Sequence, residues 1–133
     1  MGEVQDGELR LALASGIDAP ALARRFVGES ARGLPPDLIG DAELLVSELV
    51  SNAVRHGRPE ITLRVSLDPP LIGVAVHDDG AAVPDTEVVR PEPSAPSGRG
   101  LYLVDQVSSD WGVTPSDPPP GKTVWFRIDP RAD

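Results

Sequence analysis

The chain has 133 residues, 40% of them hydrophobic and 25% charged, with a net charge of −9 and no cysteine. That length suffices for one domain with a single core, and the acidic balance argues against a non-specific binder of nucleic-acid phosphates. Without cysteine there is no disulfide framework, thiolate zinc site or cysteine nucleophile, which suits the cytoplasm.

No apolar run approaches the roughly 18 residues that cross a bilayer. The start lacks the basic-then-apolar order of a secretory signal, and Asp6 stands where a myristoylation motif needs Ser or Thr. The expectation is a cytoplasmic protein with no membrane attachment and no direct nucleic-acid contact. Lys122 is the only lysine among twelve basic residues.

Glu8 to Leu13 alternates and predicts a first strand with one buried face. Asp18 followed by Pro20 signals a helix start, and Ala19 to Arg32 carries Leu22, Phe26 and Val27 at helical spacing, closed by Gly33. Pro35, Pro36 and Asp37 open the longest helix, which runs to Arg55 or His56 and stops at Gly57 with Pro59 beyond. Glu60 to Leu67 alternates cleanly as a strand. Asp68, Pro69 and Pro70 turn it, and Leu71 to Val76 returns as the second arm of a hairpin.

Residues 79–98 change character, with four prolines (Pro84, Pro91, Pro93, Pro96) and few large apolar groups. A long loop without secondary structure inside a small domain is usually functional, often a lid. Gly100 to Val107 predicts a short helix with Leu101, Leu103 and Val104 inward. Trp111 to Val113 reads as a strand, Pro115 to Pro120 as a rigid turn, and Lys122 to Ile128 as a closing strand. The expected order is β-α-α-β-β-lid-α-β-β, without internal repeats.

Four elements carry candidate chemistry. At roughly 100° per residue, Glu48, Asn52, Arg55 and His56 share one side of the long helix. Leu45, Val46, Leu49, Val50, Ala53 and Val54 fill the adjoining arc. A carboxylate and an amide beside that much hydrocarbon need partners. An amide oxygen suits Mg²⁺ that also binds a phosphate, and a carboxylate one turn earlier could orient or deprotonate an attacking hydroxyl or water. Taken alone, the same residues also read as a solvated helix face capped by His56.

The second element is Asp78-Asp79-Gly80 at a strand end. There a carboxylate can accept from an exocyclic amine, and glycine lets a flat base approach; it is equally an ordinary turn. The third is Gly98-Arg99-Gly100-Leu101, whose amides could cradle phosphates at a helix start or whose glycines could form a hinge. The dinucleotide fingerprint is absent, because Leu103 occupies its third glycine position. The fourth is Gly121-Lys122-Thr123. It is not a P-loop, since Ser116 stands at the required first glycine and a strand follows. A Thr123 hydroxyl facing a pocket and a surface threonine on a strand both remain open.

In order and spacing these boxes resemble the GHKL superfamily of gyrase, Hsp90, histidine-kinase and MutL ATP-binding domains. Within it they are similar to the stand-alone anti-sigma-factor serine kinases and related regulators. The resemblance spans about Leu9 to Ile128 and is most specific from Glu48 to Gly57.

The resemblance implies an α+β fold of the Bergerat type: a two-layer α/β sandwich whose mixed, mostly antiparallel sheet carries its helices on one face, with an ATP lid. Residues 1–133 would form one ATP-binding domain, core about 9–128 and lid about 79–98. It further implies ATP and Mg²⁺ as cofactors. Asn52 would be the metal ligand and Glu48 the general base or orienter of the acceptor hydroxyl. Asp78 would receive the adenine amine, with Gly80 giving the base room. Gly98, Arg99, Gly100 and Leu101 would hold phosphates, and Thr123 would support the adenine side.

Such proteins phosphorylate a serine on a STAS-type antagonist and alternately sequester a sigma factor, often as a homodimer. In 133 residues no dimerisation helix pair or transducer domain is expected. One departure is Ala82, where the family's first glycine box often ends in Gly; the other is the short proline-rich lid. These keep a nucleotide-gated binding module with little or no kinase activity as the alternative, and a partner-binding domain without nucleotide as a third reading.

Overall fold

The computed structural model describes residues 3–5, 8–56, 60–80, 100–116 and 120–131. The elements are β1 (Glu3–Gln5), β2 (Glu8–Ala14), α1 (Ala19–Ser30), α2 (Pro36–His56), β3 (Glu60–Asp68), β4 (Leu71–Asp78), α3 (Gly100–Val107), β5 (Asp110–Pro115) and β6 (Lys122–Ile128). Every expected helix and strand is present within a few residues, and the turn expected over Pro115 to Pro120 lies partly outside the described residues. The one addition is β1, which pairs with β2 through Val4 opposite Leu9. Of the lid expected over residues 79–98, positions 81–98, with Ala82 and Gly98, lie outside the described residues, as does Arg99.

Six strands form one sheet in the order β1-β2-β3-β4-β6-β5, with every described pair antiparallel. This is the α+β architecture the resemblance implied. The period of two along each strand sorts the side chains. Ile61, Leu63 and Val65 of β3, Ile72, Val74 and Val76 of β4, and Val124, Phe126 and Ile128 of β6 are buried. Register places Ile72 opposite Ile128, Val74 opposite Phe126 and Val76 opposite Val124, so this face is apolar rung after rung.

The helices cover that face. α1 and α2 pack against each other, α1 reaching β2 and β3, and α2 reaching β4 and β6. α2 buries Leu38, Ala42, Leu45, Val46, Leu49, Val50 and Ala53, a stripe at three- and four-residue spacing. Each large side chain removed from water contributes about 1.5–3 kcal/mol against chain entropy. α1 begins at Ala19 with Pro20 in its first turn, but Asp18 makes no side-chain cap bond. Pro20 fits there because its fixed φ suits a helix start and its missing N–H has no intrahelical role. On α1 it is Ala23 that is buried with Phe26 and Val27, while Leu22 is exposed.

The opposite face of the sheet is mixed in character. Thr62, Arg64, Ala75, His77, Thr123, Trp125 and Arg127 alternate with the buried set. Trp125 lies across Gly112 of β5, where a Cβ would stand 2.7 Å from the indole ring, and the Arg127 guanidinium sits 5.0 Å from the indole centroid. Only glycine leaves the ring room to lie flat there.

Candidate functional site

Strand order and short connections bring the candidate residues to one end of the sheet. Only residues 57–59 separate α2 from β3. The start of β3 lies beside the end of β4, Ile61 opposite Asp78, and β6 starts on the other side with Lys122 opposite Asp78. The first residue of β5, Asp110, stands opposite Arg127 at the far end of β6. α3 leads into β5 and packs on α2, with Gly100 and Leu101 in its first turn.

On α2, Glu48 and Asn52 are half-buried at the margin of the apolar stripe. Arg55, three residues on and exposed, donates from its Nη2 to the Asn52 Oδ1. That spacing is the one at which helical side chains meet. Two hard oxygen-bearing groups thus stand one turn apart on the helix that covers β4 and β6.

The rung that ends the apolar ladder is charged. Asp78 and Lys122 are 2% and 6% exposed, the buried ionisable residues among those described. The Lys122 ammonium donates to Asp78 Oδ1 at 3.0 Å, and the backbone N–H of Gly80 donates to the same oxygen at 2.8 Å. The carboxylate thus both ends the strand with an Asx-type turn and holds a buried counter-charge, so the turn reading of Asp78-Asp79-Gly80 is correct as far as it goes. Gly121 makes the approach of Lys122 possible. Its φ is +124, and an added Cβ would stand 2.8 Å from Ser116 Oγ and 3.1 Å from the Asp78 carbonyl oxygen.

Thr123 lies elsewhere. Strand alternation turns it to the face away from the helices, where its hydroxyl meets His77 Nδ1 at 3.1 Å; His77 Nε2 in turn meets Asp79 Oδ1 at 3.1 Å. The hydroxyl expected to support the adenine side does not share the face of Asp78, and Lys122 does. Alternation inward from Phe126 and Val124 was the signal for this: two residues earlier is Lys122, not Thr123.

Asp78, Gly80 and Lys122 are therefore bonded together, Glu48 and Asn52 share a helix edge over the same strands, and Gly100 and Leu101 open α3. Gly98 and Arg99 fall outside the described residues. Among those described, no cluster of three or more His, Asp or Glu could hold a cation alone. The donor chemistry fits Mg²⁺ held by few protein oxygens, because that ion keeps waters and takes phosphate oxygens for the rest. No helix among the described residues is long and apolar enough to cross a membrane.

A family model described as a histidine kinase-like ATPase domain matches residues 14–128. No curated protein matches. Sixteen solved chains do. Among them is the histidine kinase domain from the Erythrobacter litoralis EL346 blue-light activated histidine kinase, at 24% identity and a TM-score of 0.53. The likeness covers 80% of this chain and 60% of that one, and it shows a shared fold.

Proposed function

Because the chain belongs to the histidine kinase-like ATPase domain family, we propose that it is an ATP-binding regulator of the anti-sigma-factor type: a protein serine kinase that works by partner switching. What supports the nucleotide part is that Glu48 and Asn52 lie in the last turns of α2, which packs on β4 and is followed within a few residues by the start of β3, the strand end that pairs beside the buried carboxylate of Asp78. Asp78 accepts the adenine amine, and buried Gly80 lets the base lie against the backbone. Gly100 and Leu101, with Gly98 and Arg99 before them, receive the phosphates at the start of α3.

Asn52 gives its amide oxygen to Mg²⁺, which when bound neutralises phosphate charge. Glu48 orients the acceptor serine hydroxyl and takes its proton as the serine oxygen bonds to the γ-phosphorus and the bond from that phosphorus to the bridging oxygen breaks, releasing ADP. The acceptor belongs to a STAS-type antagonist. A sigma factor is the alternate partner, chosen by whether nucleotide is bound.

Incubation with γ-labelled ATP, Mg²⁺ and a candidate antagonist tests this. The antagonist is expected to gain label on serine, and Glu48→Gln is expected to abolish transfer while ATP binding persists. Equal transfer by Glu48→Gln removes the assigned base. A second reading, a nucleotide-gated binding module with no kinase activity, is favoured by Ala82 in the first glycine box. Tight ATP binding with neither ADP nor phosphoprotein formed would select it.

A further inference from the structure

Apolar pairs fill the helix-facing rungs of β4 and β6 from Ile72/Ile128 through Val74/Phe126 to Val76/Val124, and then the next rung is Asp78/Lys122. Packing does not call for this change. A buried ion pair gives up the hydration of both charges, and well-packed hydrophobic residues in its place are often as stable or more so. Lys122 is also the only lysine in the chain, in a sequence that otherwise uses arginine for positive charge. The chemistry specific to a lysine here is a compact charge on a slim stem, able to follow a β-strand into a buried corner where a planar guanidinium needs more room.

The two donors that reach Asp78 converge on one oxygen. The Lys122 ammonium and the Gly80 amide both donate to Oδ1, and neither donates to Oδ2. This fixes the rotation of the carboxylate and directs its second oxygen away from the pair. A carboxylate oxygen held in that rotation accepts from a donor such as an exocyclic amine and is repelled by a carbonyl oxygen. The ion pair therefore governs which purine edge the site accepts.

From this we infer that Lys122 is a positioning and specificity-determining residue: by pinning Asp78 in one rotation as a charged acceptor, it makes the site select a 6-amino purine over a 6-oxo purine. This rests on the reading of Asp78 as the base-recognition residue. It assigns to Lys122, through Asp78, the supporting part that the sequence suggested for Thr123.

The test is calorimetric titration of the full chain with ATP and with ITP, whose 6-position carries an oxygen in place of the amine. The wild-type protein is expected to prefer ATP. Lys122→Met keeps the stem and removes the charge, and is expected to lower the ATP-to-ITP affinity ratio on the order of tenfold, mainly by improving the relative binding of ITP. Lys122→Arg, which keeps the charge, is expected to retain more of the preference than Lys122→Met.

A merely structural role would weaken both nucleotides together and leave their ratio alone. An unchanged ratio in folded Lys122→Met overturns the inference while leaving ATP binding intact. If Lys122→Met does not fold, Lys122→Gln, with an N–H donor and no charge, carries the same expectation and the same overturning result. A wild-type protein that binds neither nucleotide, or both equally, overturns the reading of Asp78 itself and this inference with it.

Discussion

Arg55 donates from its guanidinium to the side-chain oxygen of Asn52, one turn earlier on α2. That oxygen is the one proposed to face magnesium, and a dication and a guanidinium repel each other at a shared acceptor. On that proposal, magnesium binding would displace Arg55. Asn52→Ala is expected to weaken ATP binding on the order of tenfold with Mg²⁺ and little in chelator. Arg55→Ala, which releases the oxygen, is expected to tighten the Mg²⁺-dependent complex by about threefold. Calorimetry with and without chelator reads both; weaker Mg²⁺–ATP binding in Arg55→Ala would instead assign the guanidinium to the phosphates.

Phe126 is fully buried on β6, opposite Val74 on one side and Trp111 on the other. Phe126→Ala is expected to cost about 3–5 kcal/mol through lost transfer energy and the cavity left behind. Against a typical total of roughly 5–15 kcal/mol that is a large share. Urea unfolding followed by far-UV circular dichroism measures it, and a loss below 1 kcal/mol would mean that the helices collapse onto the gap.

Gly112→Ala would drive a methyl group into the Trp125 indole. The ring must swing off β5 and away from Arg127, which together should cost about 1–2 kcal/mol. In a Trp125→Leu background the same substitution should be nearly neutral. A double-mutant cycle that shows no coupling would reject the steric account.

Asp129 has its carboxyl held below the ordinary value, first by the side-chain hydrogen bonds from Arg131 and then by the Arg131 backbone N–H. A carboxylate depressed in the folded state adds stability above its unfolded value, and that contribution is lost as pH falls through the folded value. Here Arg131 is exposed and Asp129 only half-buried at the surface, so solvent screening leaves little stability to lose. Arg131→Ala is expected to move the Asp129 titration upward, toward the ordinary carboxylate range, with no measurable change in melting temperature. Carboxyl-detected NMR across the acid range checks the first part and calorimetry the second.

Much of the fold was legible because long amphipathic segments announce themselves. The α2 stripe from Leu38 to Ala53 and the alternation of Ile61, Leu63 and Val65 gave correct elements and correct inward faces. β1 was not legible: Glu3, Val4 and Gln5 offer one apolar side chain, and the strand is assigned from its pairing with β2, which no local pattern encodes. Leu22 misled because helical spacing marks a face without saying where its edge lies, and the smaller Ala23 proved to be the contact. At the site, Asp78 is buried at its strand end, while the register of β6 turns Thr123 to the face of His77, which its hydroxyl chemistry alone does not reveal. The Asp78–Lys122 bond joins residues 44 apart in sequence, which only the pairing of β4 with β6 could reveal.

β6 lies between β4 and β5, so the strand made last among those described joins the edge strand β5 to the rest of the sheet. Until it docks, β4 has one neighbour and a bare row of amides and carbonyls along its other margin, beside an uncovered hydrophobic surface. A copy cut anywhere between Gly80 and Gly121 would separate Asp78 from its lysine and leave a sticky edge prone to self-association. Loss of a short C-terminal stretch should therefore yield insoluble material rather than a half-active fragment, an all-or-none safeguard written into the strand order.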